Sequence, residues 1–223
     1  MTHSPKQPAM ETCIRRGRKF DQVLEGARKV FLRDGFEGAS VDDIAREAGV
    51  SKATLYSYVP DKRLLFMVFA QQECAMQAQS SMSPMEAMDA PIEVVLTGAA
   101  EKLTTYIFSD FGRDIFRICV AEAERFPEVG RQFYATGHVV VCDKLVGLMR
   151  RGAERGELKI EDFDFAAEQF LELCKANLHA KIVFGLPEML TEDCRQRTVK
   201  EAVAMFMARY GTKCHCQTEG GAS

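Results

Sequence analysis

The eighteen residues from Val41 to Tyr58 constrain this chain more than any other stretch. Ile44, Ala48, Val50, Leu55 and Tyr58 recur where two short helices meeting at a corner need apolar contacts. Ala45 falls where such helices press closest, so only a small side chain fits there. Gly49 falls at the turn, where a positive φ is cheap only for glycine. An ordinary pair of core helices meets the apolar period but seldom supplies the small residue and the glycine at that spacing as well. The pattern reads as a helix-turn-helix, whose second helix enters the major groove of DNA.

Around this motif almost every segment reads as helix, with glycines and prolines at the boundaries and no alternating strand pattern. Phe20, Val23, Leu24, Ala27, Val30 and Phe31 make a helical stripe that stops at Asp34-Gly35. Ser40 and Ser51 are placed to cap the two helices of the motif. A fourth helix is expected from Lys62 to about Gln79. Ser80 to Pro91 then reads as the main break in the chain. Further helices are expected at 91–108, 112–125, 128–155, 163–184 and from the cap Thr191 to about Tyr210. The fold class is therefore all-α, with about nine helices. A three-helix N-terminal domain precedes a larger C-terminal helical domain.

Charge is divided along the chain. Residues 1–70 hold 12 Lys and Arg against 9 Asp and Glu, whereas residues 71–223 hold 17 against 23. A basic head on an acidic body suits a protein with one phosphate-facing end. No apolar run approaches the roughly 18 residues of a membrane span, so no membrane partner is expected. The first residues, Met1 to Pro8, lack an apolar core, so a secretory signal is not expected and the cytoplasm is the expected compartment. Eight cysteines without such a signal read as thiols rather than a disulfide framework. Neither these nor the Cys214-His215-Cys216 tail shows a usual metal-ligand spacing, so no metal and no cofactor is expected.

Residues 20–69 resemble the TetR family of transcriptional regulators. The resemblance rests on Ala27, Phe31, Gly35, Phe36, Ser40, Val41, Ile44, Ala45, Ala48, Gly49, Val50, Ser51, Thr54, Leu55, Tyr56, Tyr58, Lys62 and Leu65. Ala121 to Glu128 and Ala166 to Phe170 are similar to phrases in the body of the AcrR/AefR-like subgroup. The resemblance implies a homodimer on a double-stranded DNA operator and a small-molecule effector bound in the body. It also divides the chain into a flexible basic arm (1–16), a helix-turn-helix domain (17–79), an effector-binding and dimerisation domain (80–211) and a disordered tail (212–223).

Within that frame Ser51, Lys52, Ala53, Thr54 and Tyr56 stand at the start of the recognition helix, the end that meets the bases. Lysine can donate to guanine, and the Thr and Ala methyls can rest on thymine. Tyr56 and Tyr58 are placed to reach phosphates, although the position of Tyr58 equally suits partial core burial. Lys62 matches the family's phosphate contact, and Ser40 is a second clamp of that type. Arg15 to Lys19 form a basic run that lies along the DNA backbone or stays solvated. In the body Phe108, Phe111, Phe116, Cys119, Phe133, His138, Cys142 and Phe170 are candidates to line an effector cavity. Phe170, Cys174, Leu178, Val199, Val203 and Phe206 are candidates for the dimer interface.

The residues show no glycine-rich phosphate loop, metalloprotease helix or nucleophile elbow, so an enzyme is not expected. The expected function is a repressor released from a palindromic operator by a small hydrophobic ligand. A regulator responding to oxidation or metal through its cysteines, or a constitutive DNA-binding protein, remains open at this level.

Overall fold

The computed structural model describes residues 19–212 apart from 87, 125 and 177. The basic run at 15–18, the first sixteen residues and Cys214-His215-Cys216 lie outside the described residues. Helices α1 (Phe20–Gly38), α2 (Val41–Glu47), α3 (Lys52–Tyr58) and α4 (Lys62–Glu86) are followed by α5 (Ile92–Phe108) and α6 (Asp110–Glu122). Then come α7 (Pro127–Phe133), a π-helical segment (Tyr134–Val139), α8 (Val140–Glu154), α9 (Phe163–Lys175), α10 (His179–Val183) and α11 (Glu192–Tyr210).

Local chemistry accounts for many of the ends. Ser40 Oγ accepts from the Asp43 amide at 3.0 Å, Ser51 Oγ from Thr54 at 3.1 Å and Thr191 Oγ1 from Cys194 at 3.2 Å. Ser109 does the same for Gly112 at 3.0 Å and so opens α6. Gly35 adopts φ 69°, which breaks the regular part of α1 and swings Phe36 inward; Gly49 adopts φ 65° at the α2–α3 turn.

Four expectations are corrected. Helix α4 runs on through Glu86, so the 79/80 division falls inside a helix and the break shrinks to 87–91. The turn-rich residues do not stop a helix that packing still holds at buried Met85. The long helix expected over 128–155 is continuous from Pro127 but carries the π-helical turn at 134–139. The helix expected over 163–184 is instead two, α9 ending at Lys175 and α10 starting at His179, with tight turns closing from Ala176 to Leu173 and from Leu178 to Lys175.

The fourth concerns the proposed dimer residues. Phe170, Cys174, Leu178, Val199, Val203 and Phe206 are all buried within the single chain. All but Leu178 lie in a core that α9 and α11 share with α5 and α8. The Phe170 and Phe206 rings meet edge to face at 5.1 Å. Those stripes are apolar because the chain fills its own interior with them, and they are not available to a second copy.

Two apolar cores result. One joins α1, α2, α3 and the first half of α4, and also takes Ile115 and Cys119 from α6. Within it Phe31, Phe36, Phe66, Phe69 and Phe111 stack with centroids 4.9–6.4 Å apart. Such pairs add about 0.5–1.5 kcal/mol each beyond their buried area. The other core joins Met85 of α4 with α5, α8, α9 and α11.

Candidate nucleic-acid interface

Helix α3 is fastened by one side and free on the other. Leu55 and the following Val59 are buried, whereas Ser51, Lys52, Ala53 and Tyr56 are exposed. Positions 52, 53 and 56 lie one, three or four residues apart, so their side chains project from one face. Thr54 is half-buried and its hydroxyl lies 2.8 Å from Ser51 Oγ. Lys52 Nζ pairs with the exposed carboxylate of Asp42 on α2 at 2.9 Å, and that hydrogen bond holds its pKa above the ordinary lysine value. An exposed pair of this kind is worth little by itself and exchanges readily for a phosphate or a base edge.

Tyr58 is half-buried, packs on the head core and approaches the Phe20 ring at 6.1 Å. The structure thus shows its packing role. Lys62 is likewise half-buried: Nζ donates to the Ala39 carbonyl at 2.9 Å and stands 4.4 Å from the centre of the Phe36 ring. It ties the first turn of α4 to the strained end of α1, immediately before Ser40. Ser40 and Lys62 therefore meet at one corner, while Ser51, Lys52, Ala53 and Tyr56 form another. Ser40 is itself committed to Asp43, donating to Oδ2 at 2.5 Å.

Two elements of this site were not anticipated. Gly26 of α1 has no room for a side chain, because an added Cβ would lie 2.7 Å from both the Ala48 Cβ and its backbone nitrogen. That contact sets how closely α1 crosses the motif; a lone glycine inside an apolar helical stripe was its only sequence signal. Arg28 of α1 also pairs with buried Glu73 of α4 at 2.5 Å, a link between two helices that no local pattern announces.

The residues proposed to line an effector cavity do not converge. Cys119 belongs to the head core, and Phe111 and Phe133 pack on it. Phe170 lies in the second core, with Cys142 against it. Phe108 is half-buried at the end of α5, its carbonyl held by Arg113 at 2.8 Å. Phe116 meets the His179 ring at 4.5 Å. His138, in the π-helical turn, stacks on Tyr134 at 4.7 Å; burial and nearby Lys175 lower its pKa, while Glu168 and Glu172 of α9 oppose them. A separate half-open crevice of about 320 Å³ lies between the α4–α5 corner and the end of α8, lined by Met88, Asp89, Ile92, Val95, Leu148, Arg151, Glu154 and Arg155. It includes none of the proposed lining residues. Among the described residues no group of His, Cys, Asp and Glu could hold a metal ion, and no helix is long and apolar enough to cross a membrane.

Comparison with known proteins places both halves. Residues 23–67 match the model for bacterial regulatory proteins of the tetR family, and residues 94–212 match that for the C-terminal domain of AefR-like transcriptional repressors. The second match alone spans more than half of the chain. This chain belongs to the TetR family. The HTH-type transcriptional repressor AcnR of Corynebacterium efficiens is 25% identical over 141 residues, covering 63% of this chain and 69% of that protein. A TetR-family regulator from Mesorhizobium loti has a similar fold, with a TM-score of 0.74 at 23% identity over 87% of this chain and 98% of its own. The flavonoid-responsive regulator FrrA is 30% identical, with a TM-score of 0.62 and coverage of 89% of this chain and 100% of that one. The chain is thus a TetR-family DNA-binding transcriptional regulator and not an enzyme.

Proposed function

We propose that this regulator is a homodimeric repressor that leaves a palindromic operator when a small hydrophobic ligand binds its body. The observation that carries the reading is the one-sided exposure of α3, with Leu55 and Val59 as anchors and Ser51, Lys52, Ala53 and Tyr56 facing out. Lys52 and Thr54 are assigned to base edges and Tyr56 to phosphates, with Tyr58 contributing through its ring packing. Ser40 and Lys62 act as a corner that holds the α2 N-terminus against the DNA backbone, working in the cytoplasm where the operator is. A single short helix supplies little affinity, so two copies about 34 Å apart are required.

Exposed Phe165 of α9 and Met205 of α11 lie on the outer side of helices whose inner stripes are already used, and this outer face is assigned to the dimer. The effector class takes support from FrrA, which is named for its response to flavonoids. The ligand need only favour the form whose recognition helices miss the operator spacing by 1–3 kcal/mol to change affinity about 5- to 150-fold.

The test is a selection of bound duplexes from random DNA by the purified protein, followed by titration of the recovered operator with flavonoids and other hydrophobic compounds. Recovery of a palindrome, and its release by one compound class, is the expected result. Recovery of no enriched sequence would falsify the operator reading.

A further inference from the structure

We propose that the crevice between α1 and the end of α2 is a docking surface for this chain's own basic segment, Arg15 to Arg18, which leaves it when phosphates compete. The docking requires no assumption about DNA, and its effect on affinity rests on the proposed operator reading. The crevice, of about 340 Å³, is lined by Asp21, Gln22, Glu25, Gly26, Glu47 and Ala48. Three of these six are carboxylates and none is basic. Asp21, Glu25 and Glu47 stand exposed around the point where Gly26 approaches Ala48 most closely. Glu47 is paired with Lys29 at 3.1 Å, whereas Asp21 and Glu25, one helical turn apart, make no ion pair among the described residues.

The charge of the head decides which partner fits. Residues 20–70 hold seven Lys and Arg against eight Asp and Glu, so the basic excess of the first 70 residues comes from ahead of α1. Four of the five residues from Arg15 to Lys19 are cations. All seven cations of 20–70 are already engaged: six are ion-paired, and Lys62 donates to the Ala39 carbonyl. The head helices therefore have no cation left for Asp21 and Glu25, and the nearest further supply is the run joined to them through Lys19. Reach permits the contact. Glu25 lies six helical residues beyond Lys19, about 9 Å along the axis. Three extended residues back from Lys19 span about 10 Å, so a chain that doubles back brings Arg16 beside Glu25. Exposed pairs of this kind are weak singly and give way to the denser charge of a duplex. The crevice thus acts as an internal competitor that lowers the hold on every duplex alike and leaves discrimination to α3.

The experiment is a double-mutant cycle in the full chain. Asp21→Asn/Glu25→Gln, Arg15→Ala/Arg16→Ala/Arg18→Ala and their combination are titrated against the selected operator and a scrambled duplex, each normalised to folded fraction by circular dichroism. With the arginines present, neutralising the acids is expected to tighten both duplexes about three- to tenfold, the scale of two or three exposed ion pairs. Without the arginines the gain is expected to be no more than about twofold. An equal gain in both backgrounds means that the acids only repel DNA; that result, or no gain in either, overturns the inference while leaving the DNA-binding reading intact. Trypsin cleavage after Arg15 and Arg16, read by mass spectrometry without DNA at low salt, reports the docking directly. Cleavage is expected to quicken about three- to tenfold when the two acids are neutralised, and the difference to vanish in about 1 M salt. Equal rates in the wild type and the acid variant at low salt overturn the docking. If the wild type binds no duplex, the DNA reading itself fails and the cleavage rates alone decide.

Discussion

At Gly26 a single hydrogen atom in place of a side chain lets α1 lie against the backbone of Ala48. Gly26→Ala is expected to cost about 1–3 kcal/mol, because Ala48 meets the new methyl with main-chain atoms that cannot rotate away. A thermal melt measures the loss, and a variant as stable as wild type would show that the helices separate freely. Lys62→Ala removes both the bond to Ala39 and the contact over Phe36, so it should lower stability by about 1–2 kcal/mol as well as weaken operator binding. A variant that lost binding alone would make Lys62 a pure phosphate contact. The thiols bear on the oxidation-sensing alternative. Burial pushes Cys142 up to about 11 and Cys174 up to about 12. At pH 8 both stay protonated in the native protein and should alkylate about a hundredfold or more slower than free cysteine. Mass spectrometry after iodoacetamide checks this; fast labelling of either would restore it as a sensor. At this scale Gly35, Gly49 and the caps Ser40, Ser51 and Thr191 were legible in the sequence, because each meets a need set within four residues. The contacts of Gly26 with Ala48 and of Lys62 with Ala39 were not legible, because those partners lie 22 and 23 residues away.

Among the elements, α2 and α3 form a corner whose polar side carries one internal distraction. Asp42 holds Lys52 away from any incoming anion and adds a negative charge near the proposed phosphates. Asp42→Asn is expected to raise operator affinity several-fold and to steepen the salt dependence by about one ion, since one more lysine is then free to displace a counterion. Anisotropy titrations across salt concentration read both; a lower affinity would mean that Asp42 is needed to aim the lysine. The extent of most helices could be read from periodicity, since an apolar stripe persists wherever a helix persists. The π-helical turn and the separation of α9 from α10 could not. Tyr134 to Val139 contains nothing that forbids α-helix, and residues 176–178 contain neither glycine nor proline. Tertiary packing made both choices. The same limit explains the misassigned dimer stripes, because periodicity tells that a face is covered and not by what.

For the molecule as a whole, self-association must use surfaces left after the two cores are filled. Phe165→Asp and Met205→Asp are each expected to shift a dimer toward monomer in light scattering while preserving helicity, and together to abolish operator binding at low protein concentration. A dimer untouched by both would move the contact elsewhere. Because Ile115 and Cys119 of α6 help fill the interior of the head, the reader of DNA is not a detachable module. A fragment cut after α4 would leave an oily socket open to water, prone to clumping. Chimaeras that transplant only the amino-terminal helices onto a foreign sensor should inherit that wound, whereas grafts that carry their own α6 along should not.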